Sequence, residues 1–324
     1  MNHILFGLKS QFFQLLNLTG LPQSLIARSG WRIILAFHRV VPPYKASELG
    51  LHPSLFITPE TFRSLLSSMK EIGSFVDIYS LLSSAPSGTS FSVTFDDGWI
   101  DTYTIAYPVL KELNIPFSIF IATSLIDNGS MNWTEEIVAQ YVRLLNKAPE
   151  KAMRALVRLT PQNSAGETDI YQIIERLKEL PRKIRDHHIE NFYNELANKK
   201  PIEGEMLSWA QIKELREGGV IVGSHTHSHG ILSDLKKEQV AEELLQSKKI
   251  LHERLACDSN IFCYPNGRYK KENEELFRFL GYSYGLILDD KRVHKNDPPF
   301  FIPRFLVYED IVPILYFRFL TEHK

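Results

Sequence analysis

The sequence predicts an α/β protein, with a mainly parallel sheet closed as a barrel and one helical insertion. Two patterns carry this expectation. Short, apolar, β-rich runs recur with helix-like stretches between them, and one long central region shows helix periodicity with almost no strand signal. A length of 324 residues fits one large domain of this kind.

Residues 1–30 read as an N-terminal amphipathic segment, in which Ile4, Leu5, Leu8, Phe12, Leu15 and Leu16 share one helical stripe. That stripe fits either packing against the domain or contact with a membrane surface. Residues 1–20 are interrupted by Lys9, Gln11, Gln14 and Asn17 and show no small-residue cleavage site, so a secretory signal is not expected. No run reaches the roughly 18 apolar residues of a spanning helix.

Residues 31–324 form the barrel domain. Its strands are expected at 33–37, 91–95, 117–122, 220–223, 261–264, 284–288 and 305–307, all apolar enough to be buried on both faces. Helix starts are marked by Thr58 before Pro59, and by Ser208 with Gln211 as a capping box. The insertion spans about residues 134–206, where Ile170, Ile173, Ile174 and Leu177 repeat at helical spacing. Its charged faces suit plain packing or a lid over substrate.

Hydrophobic residues make up 44% of the chain and charged ones 23%, a balance that supports a real core. Lys and Arg number 37 against 38 Asp and Glu, so no strong field draws in nucleic acid, and a neutral or mixed-charge substrate fits better. The two cysteines, Cys257 and Cys263, are too few for a disulfide framework and read as reduced, buried thiols.

Chemistry gathers at three strand ends. The run Ser92-Val93-Thr94-Phe95 leads straight into Asp96-Asp97-Gly98-Trp99. Side chains at the C-terminal end of a parallel strand face the active site of such folds. Two adjacent acids there are costly unless a cation neutralises one of them, because like charges held close raise each other's pKa, and such a pair can put one acid on a metal and leave one free to take a proton. Asp-Asp-Gly is also an ordinary turn.

A second strand ends in Ser224-His225-Thr226-His227-Ser228-His229. His225 and His229 are four apart, so within one helical turn they would share a face and bind one ion. One carboxylate with two imidazoles suits zinc or a similar divalent metal with open positions for water and substrate, which favours hydrolysis. His227 should point elsewhere. The third cluster, Phe262-Cys263-Tyr264-Pro265-Asn266-Gly267, follows a strand with a turn whose backbone N–H could serve an oxyanion.

At these three segments the chain resembles the polysaccharide deacetylases of carbohydrate esterase family 4, the NodB-homology domain. The likeness covers about residues 33–307 without the insertion. Phe95-Asp96-Asp97-Gly98 is similar to the family's first motif, and His225 to His229 fits its His-Ser/Thr-x-x-His second motif. The resemblance implies a distorted, incomplete (β/α) TIM-like barrel. It also implies that Asp96 is the general base, that Asp97, His225 and His229 are the metal ligands, and that Tyr264 lends its backbone N–H to the oxyanion. The metal would be zinc, with cobalt, nickel or manganese as alternatives.

Two family features are missing. No arginine precedes Tyr264 in the third motif, where Ser259 and Asn260 stand, and Arg304 is the candidate to supply that charge beside Asp96. The Leu-x-His motif that provides the general acid is absent, which leaves His294 and His38 as candidates. His38 lies in Phe37-His38-Arg39-Val40, similar to a stretch in one branch of the family, and equally fits a structural role.

The resulting expectation is a metal-dependent hydrolase that removes N-acetyl groups from an amino-sugar glycan or its precursor. Trp99, Trp133 and Trp209 are candidates for stacking on sugars or for the core. Alternatives are a deformylase or other amide hydrolase on a lipid- or nucleotide-linked sugar, and a glycan-binding pseudoenzyme. The expected setting is cytoplasmic, with contact to a membrane surface through the N-terminal helix as the alternative to its packing on the domain.

Overall fold

In the computed structural model, which describes residues 17, 19–83, 88–161, 166–196, 202–256 and 258–321, the chain divides into two compact units. The first takes the chain up to Val41, Pro53–Asn128 and everything from Met206; the second takes Pro42–His52 and Gly129–Glu205. The apolar stripe of residues 4–16 and Cys257 lie outside the described residues.

The first unit is the barrel. Its strands are β1 (Arg32–Phe37), β2 (Arg39–Val40), β3 (Phe56–Ile57), β4 (Ser74–Phe75), β5 (Ser90–Phe95), β6 (Phe117–Ile121), β7 (Ile221–Ser224), β8 (Ile261–Cys263), β9 (Tyr284–Leu288) and β10 (Ile302–Leu306). Neighbours run β1-β10-β9-β8-β7-β6-β5, and β5 pairs back on β1, with Leu35 opposite Val93 and Phe37 opposite Phe95. Every pairing in this ring is parallel, so all the strand ends that follow a common direction open at one mouth. Seven strands close where a regular (β/α)₈ barrel has eight, which is the expected incomplete form. Short β4 adds to the start of β5, and β2 pairs with β3 apart from the ring.

The apolar strand runs work because both faces are covered. Inside lie Ile34, Phe120, Ile261, Cys263, Leu286 and Ile302. Outside, Phe37 and Phe95 stack at 5.5 Å and both meet Phe62 of the helix Pro59–Lys70. That helix starts as expected, Thr58 accepting from the Thr61 N–H with Pro59 in the first turn, and Ser208 and Gln211 form the capping box of Trp209–Glu217.

The last strand begins at Ile302, three residues before the expected start, because Pro303 and Arg304 disguise it. Proline lacks an N–H, but β10 meets β1 only from Phe305 onward, so at residue 303 no ladder bond toward β1 is lost.

The second unit corrects the insertion's bounds. It starts at Gly129 and also takes in the helix Pro43–Leu49, whose C-cap Gly50 sits against the helix Trp133–Lys147. Gly50 has φ 59° and a Cβ there would lie 2.5 Å from Val142, so only glycine fits. Tyr171 Oη donates to the Gly50 carbonyl at 2.7 Å. The stripe Ile170, Ile173, Ile174 and Leu177 is buried in this unit's own core with Ile137, Leu156 and Phe192. Among the described residues no helix is long and apolar enough to cross a membrane.

Packing between β8 and β9 gives a stability test. Gly285 faces Phe262 across the ladder, and a Cβ on it would lie 2.8 Å from both Phe262 Cζ and the Phe300 carbonyl oxygen. Gly285→Ala is expected to destabilise the protein by about 1–3 kcal/mol in denaturant unfolding, through overpacking that the backbone oxygen cannot relieve.

Candidate active site

Five strand ends meet at the barrel mouth: β1 delivers His38, β5 delivers Asp96 and Asp97, β7 delivers His225 and His229, β8 ends in Cys263, and β10 carries Arg304. These residues are far apart in sequence and close only because parallel strands share an exit.

Asp97 is turned toward the histidines by a left-handed backbone, φ 74°, with Gly98 next at φ 96°. Its Oδ1 lies 3.3 Å from His225 Nε2 and 3.2 Å from His229 Nε2. That oxygen is buried and accepts no hydrogen bond among the described residues. Ligands of a tetrahedral zinc at bonds of about 2.0–2.1 Å stand about 3.3–3.4 Å apart, so the spacing fits an ion of that size.

The Oδ2 atom is taken by Trp99, whose Nε1 donates at 2.9 Å. His225 Nδ1 is 3.0 Å from the Cys263 carbonyl. A carbonyl only accepts, so Nδ1 carries the proton and in the neutral ring Nε2 presents its lone pair to Asp97.

Electrostatics favour positive charge here. Burial alone would raise the Asp97 carboxyl, yet contact with His225 and His229, with the field of His38, holds it well below the usual carboxylate range. Burial would lower His225, but Asp97 and then Asp96 raise it above its ordinary value.

The histidines do not share a helical turn, contrary to the expectation. They sit in an irregular loop with Thr226 at φ 67° and His229 at φ 58°, and that bent backbone brings the ring centroids to 4.9 Å. His227 points away as expected, its Nδ1 2.9 Å from Thr123 Oγ1.

Asp96 is held differently. Arg304 crosses the barrel interior and grips it with both arms, Nη1 to Oδ1 at 2.9 Å and Nη2 to Oδ2 at 2.8 Å, while Nη1 also reaches Thr94 Oγ1 at 3.0 Å. Both partners are fully buried. Burial would raise the Asp96 carboxyl; Arg304 and then His225 hold it below the usual value instead. Arg304 thus stands where the missing third-motif charge was sought, inside β10 rather than before it.

Sequence reasoning missed three supports. The Cys263 thiol packs against both Asp96 and Arg304, and burial drives it well above the usual thiol range against the pull of Arg304. Its signal was strand phase, since Ile261 and Cys263 face the same side of β8. Arg39 lies 4.5 Å over the Trp99 ring and pairs with buried Asp101 at 2.8 Å. Trp99 is therefore core and a prop for Asp97, with no face for a sugar. Glu243, on the helix Lys237–Leu255, is the third.

Two candidates are corrected. The Tyr264 N–H donates to the Leu286 carbonyl at 3.1 Å as part of the sheet, and its ring faces outward onto Phe277 and Phe301, so this N–H is already spent. His294 is exposed beside Val293, which pairs with Arg32 at the start of β1. That is the opposite end of the barrel, about 17 Å of strand from the mouth. His38 follows the end of β1, its field lowers both Asp96 and Asp97, and its Nδ1 is buried without a hydrogen-bond partner among the described residues.

Fold and site define a parallel (β/α) barrel with a carboxylate and histidine centre at its C-terminal mouth. The sequence model described as Polysaccharide deacetylase matches residues 83–285, and the chain belongs to that family. The Staphylococcus aureus (strain MRSA252) protein named poly-beta-1,6-N-acetyl-D-glucosamine N-deacetylase is 26% identical over 144 residues, 42% of this chain and 47% of that protein. The chain spans less than half the length of the curated relatives it matches. Among solved structures, the Streptococcus pyogenes deacetylase PplD in complex with acetate superposes with a TM-score of 0.59 at 19% identity, covering 91% of this chain and 99% of that one. IcaB from Ammonifex degensii gives 0.56 at 22% identity, covering 90% and 97%. Both likenesses show the fold.

The buried Asp96–Arg304 pair makes a direct prediction. Arg304→Met strands a carboxylate in the interior and should cost about 3–5 kcal/mol of unfolding free energy at pH 7. Asp96 is depressed in the native protein, so the wild type loses its contribution as pH falls, while the variant's carboxyl becomes neutral and tolerable. The gap between the two should therefore narrow at about pH 4, measured by denaturant titration at both pH values.

Proposed function

We propose that this chain is a metal-dependent hydrolase that removes N-acetyl groups from an amino-sugar glycan or glycan precursor. The observation that carries the reading is the convergence of Asp97 Oδ1 with His225 Nε2 and His229 Nε2 at 3.2–3.3 Å, beside a second carboxylate kept anionic by Arg304. The name of the Staphylococcus aureus relative supports an N-acetylglucosamine polymer as the substrate class.

Asp97, His225 and His229 would hold the metal, with zinc favoured by the N,N,O donor set and cobalt, nickel or manganese as alternatives. Such an ion supplies Lewis acidity to an amide carbonyl and lowers the pKa of water bound beside it.

Asp96 takes the proton of the attacking water, since its ion pair with Arg304 keeps it ionised, and Oδ1, which among the described residues accepts only from Arg304 Nη1, retains a further lone pair for the transfer. His38 gives a proton to the departing nitrogen. The amide C–N bond breaks, a C–O bond to the former water forms, and acetate and a free amine leave. Arg304 supplies a charge beside Asp96 where the third motif lacks its arginine, which weakens the pseudoenzyme alternative.

Acetate release from N-acetylglucosamine oligomers is the test. Chelation should abolish it, and zinc should restore it. Asp96→Asn should lower kcat by about 10²–10⁴-fold, the span of general acid–base catalysis, and His225→Ala should remove both zinc binding and activity. A metallated wild type that releases formate or nothing would overturn the N-acetyl assignment. For the acid, His38→Gln should lower kcat about 10²-fold with zinc affinity retained, whereas His294→Ala should match wild type. Equal kcat for His38→Gln and wild type would remove His38 from the mechanism.

A further inference from the structure

The histidine loop is clamped from outside by one carboxylate. Glu243 Oε2 accepts from the His227 N–H at 2.9 Å and from the Ser228 N–H at 2.8 Å, and Oε1 accepts from Ser228 Oγ. Gly230 leaves room for it, since a Cβ there would lie 3.1 Å from Glu243 Cδ. Ser247, one helical turn on, accepts from Ser224 Oγ at 2.7 Å, and Ser224 Oγ in turn accepts the Thr226 N–H at 3.1 Å. Two polar positions on one face of the helix Lys237–Leu255 thus hold residues 224–228.

This loop needs holding. Thr226 and His229 both adopt left-handed φ, which non-glycine residues occupy only when their surroundings dictate it. In that conformation His229 Nε2 lies 3.2 Å from Asp97 Oδ1. Gly230 N–H to Thr226 Oγ1 at 3.1 Å closes the loop on itself, and the N–H groups of Thr123 and Ser124 donate to the carbonyls of Thr226 and His227 from the other side. Glu243 is the one charged group among these anchors, and a carboxylate accepting backbone N–H bonds is among the stronger hydrogen-bond arrangements.

We propose that Glu243 is a positioning residue for the metal centre: by fixing the backbone of His227 and Ser228 it presets His229 for its place opposite Asp97. It rests on the metal reading above. It touches neither the reacting atoms nor the ligands' side chains, and acts through the loop alone.

Zinc affinity, measured by competition with a chromophoric chelator on the full chain, tests this. Glu243→Ala removes the acceptor of both N–H groups and of the Ser228 hydroxyl and should weaken zinc binding by about 10–100-fold, the range for lost outer partners of metal ligands. Saturating zinc should then restore kcat to near wild type. Ser228→Ala removes one of the three bonds and should give a smaller loss, which keeps the test open if Glu243→Ala folds poorly. Glu242→Ala, on the exposed face of the same helix, should bind like wild type. Unchanged zinc affinity in Glu243→Ala and Ser228→Ala, whatever happens to stability, overturns the positioning role while leaving the metal reading intact. Wild type binding zinc no better than Asp97→Asn overturns both.

Discussion

The two-armed ion pair between Arg304 and Asp96 is the constraint around which the barrel interior is arranged. A full positive and a full negative charge sit in an apolar interior, where desolvation is severe unless each is matched closely. The match is close: two N–H bonds to the carboxylate, a third to Thr94, and a neutral thiol beside Asp96 and Nη2, with the Arg304 Nε left without a partner among the described residues. The same pair separates the two adjacent aspartates by role. Asp96 is committed to a guanidinium, and Asp97 faces imidazoles, so neighbours in sequence occupy opposite electrostatic settings.

Asp97 is supported with equal care from another direction. Trp99 occupies one of its oxygens, and Arg39 lies on the indole and is itself held by Asp101. The remaining oxygen meets the histidines. Behind each histidine stands an outer contact, the Cys263 carbonyl for His225 and the clamped loop for His229. These groups at the mouth therefore rest on neighbours behind them, the layered arrangement that metal and catalytic centres require.

Much of this was legible in the sequence. Apolar runs ending in Asp96-Asp97 and in His225 to His229 announce both strand and chemistry, because a parallel strand points its C-terminal residues at the site. What was not legible depends on three-dimensional closure. Pro303 hid the start of β10, so Arg304 read as lying before a strand when it projects from one. Tyr264 seemed available because a strand's last ladder bond cannot be placed from sequence, yet its N–H completes the pairing with β9. His294 and His38 were indistinguishable as histidines near strands, and only the sheet shows that they stand at opposite ends of it. The helix Pro43–Leu49 joined the insertion's unit through contacts that local periodicity does not encode.

Closure of the ring has a temporal side. Arg304 is 208 residues beyond Asp96, on the final strand, which pairs with the first. Contacts of such sequence separation form late, because the entropy of closing so long a loop must be met before they contribute. Without β10 a closed barrel would enclose the Asp96 carboxylate with no counter-charge, which is costly. The last strand therefore completes what the first half of the chain leaves open: the Asp96 carboxylate has its buried counter-charge only in a chain that has been made and folded through to residue 304.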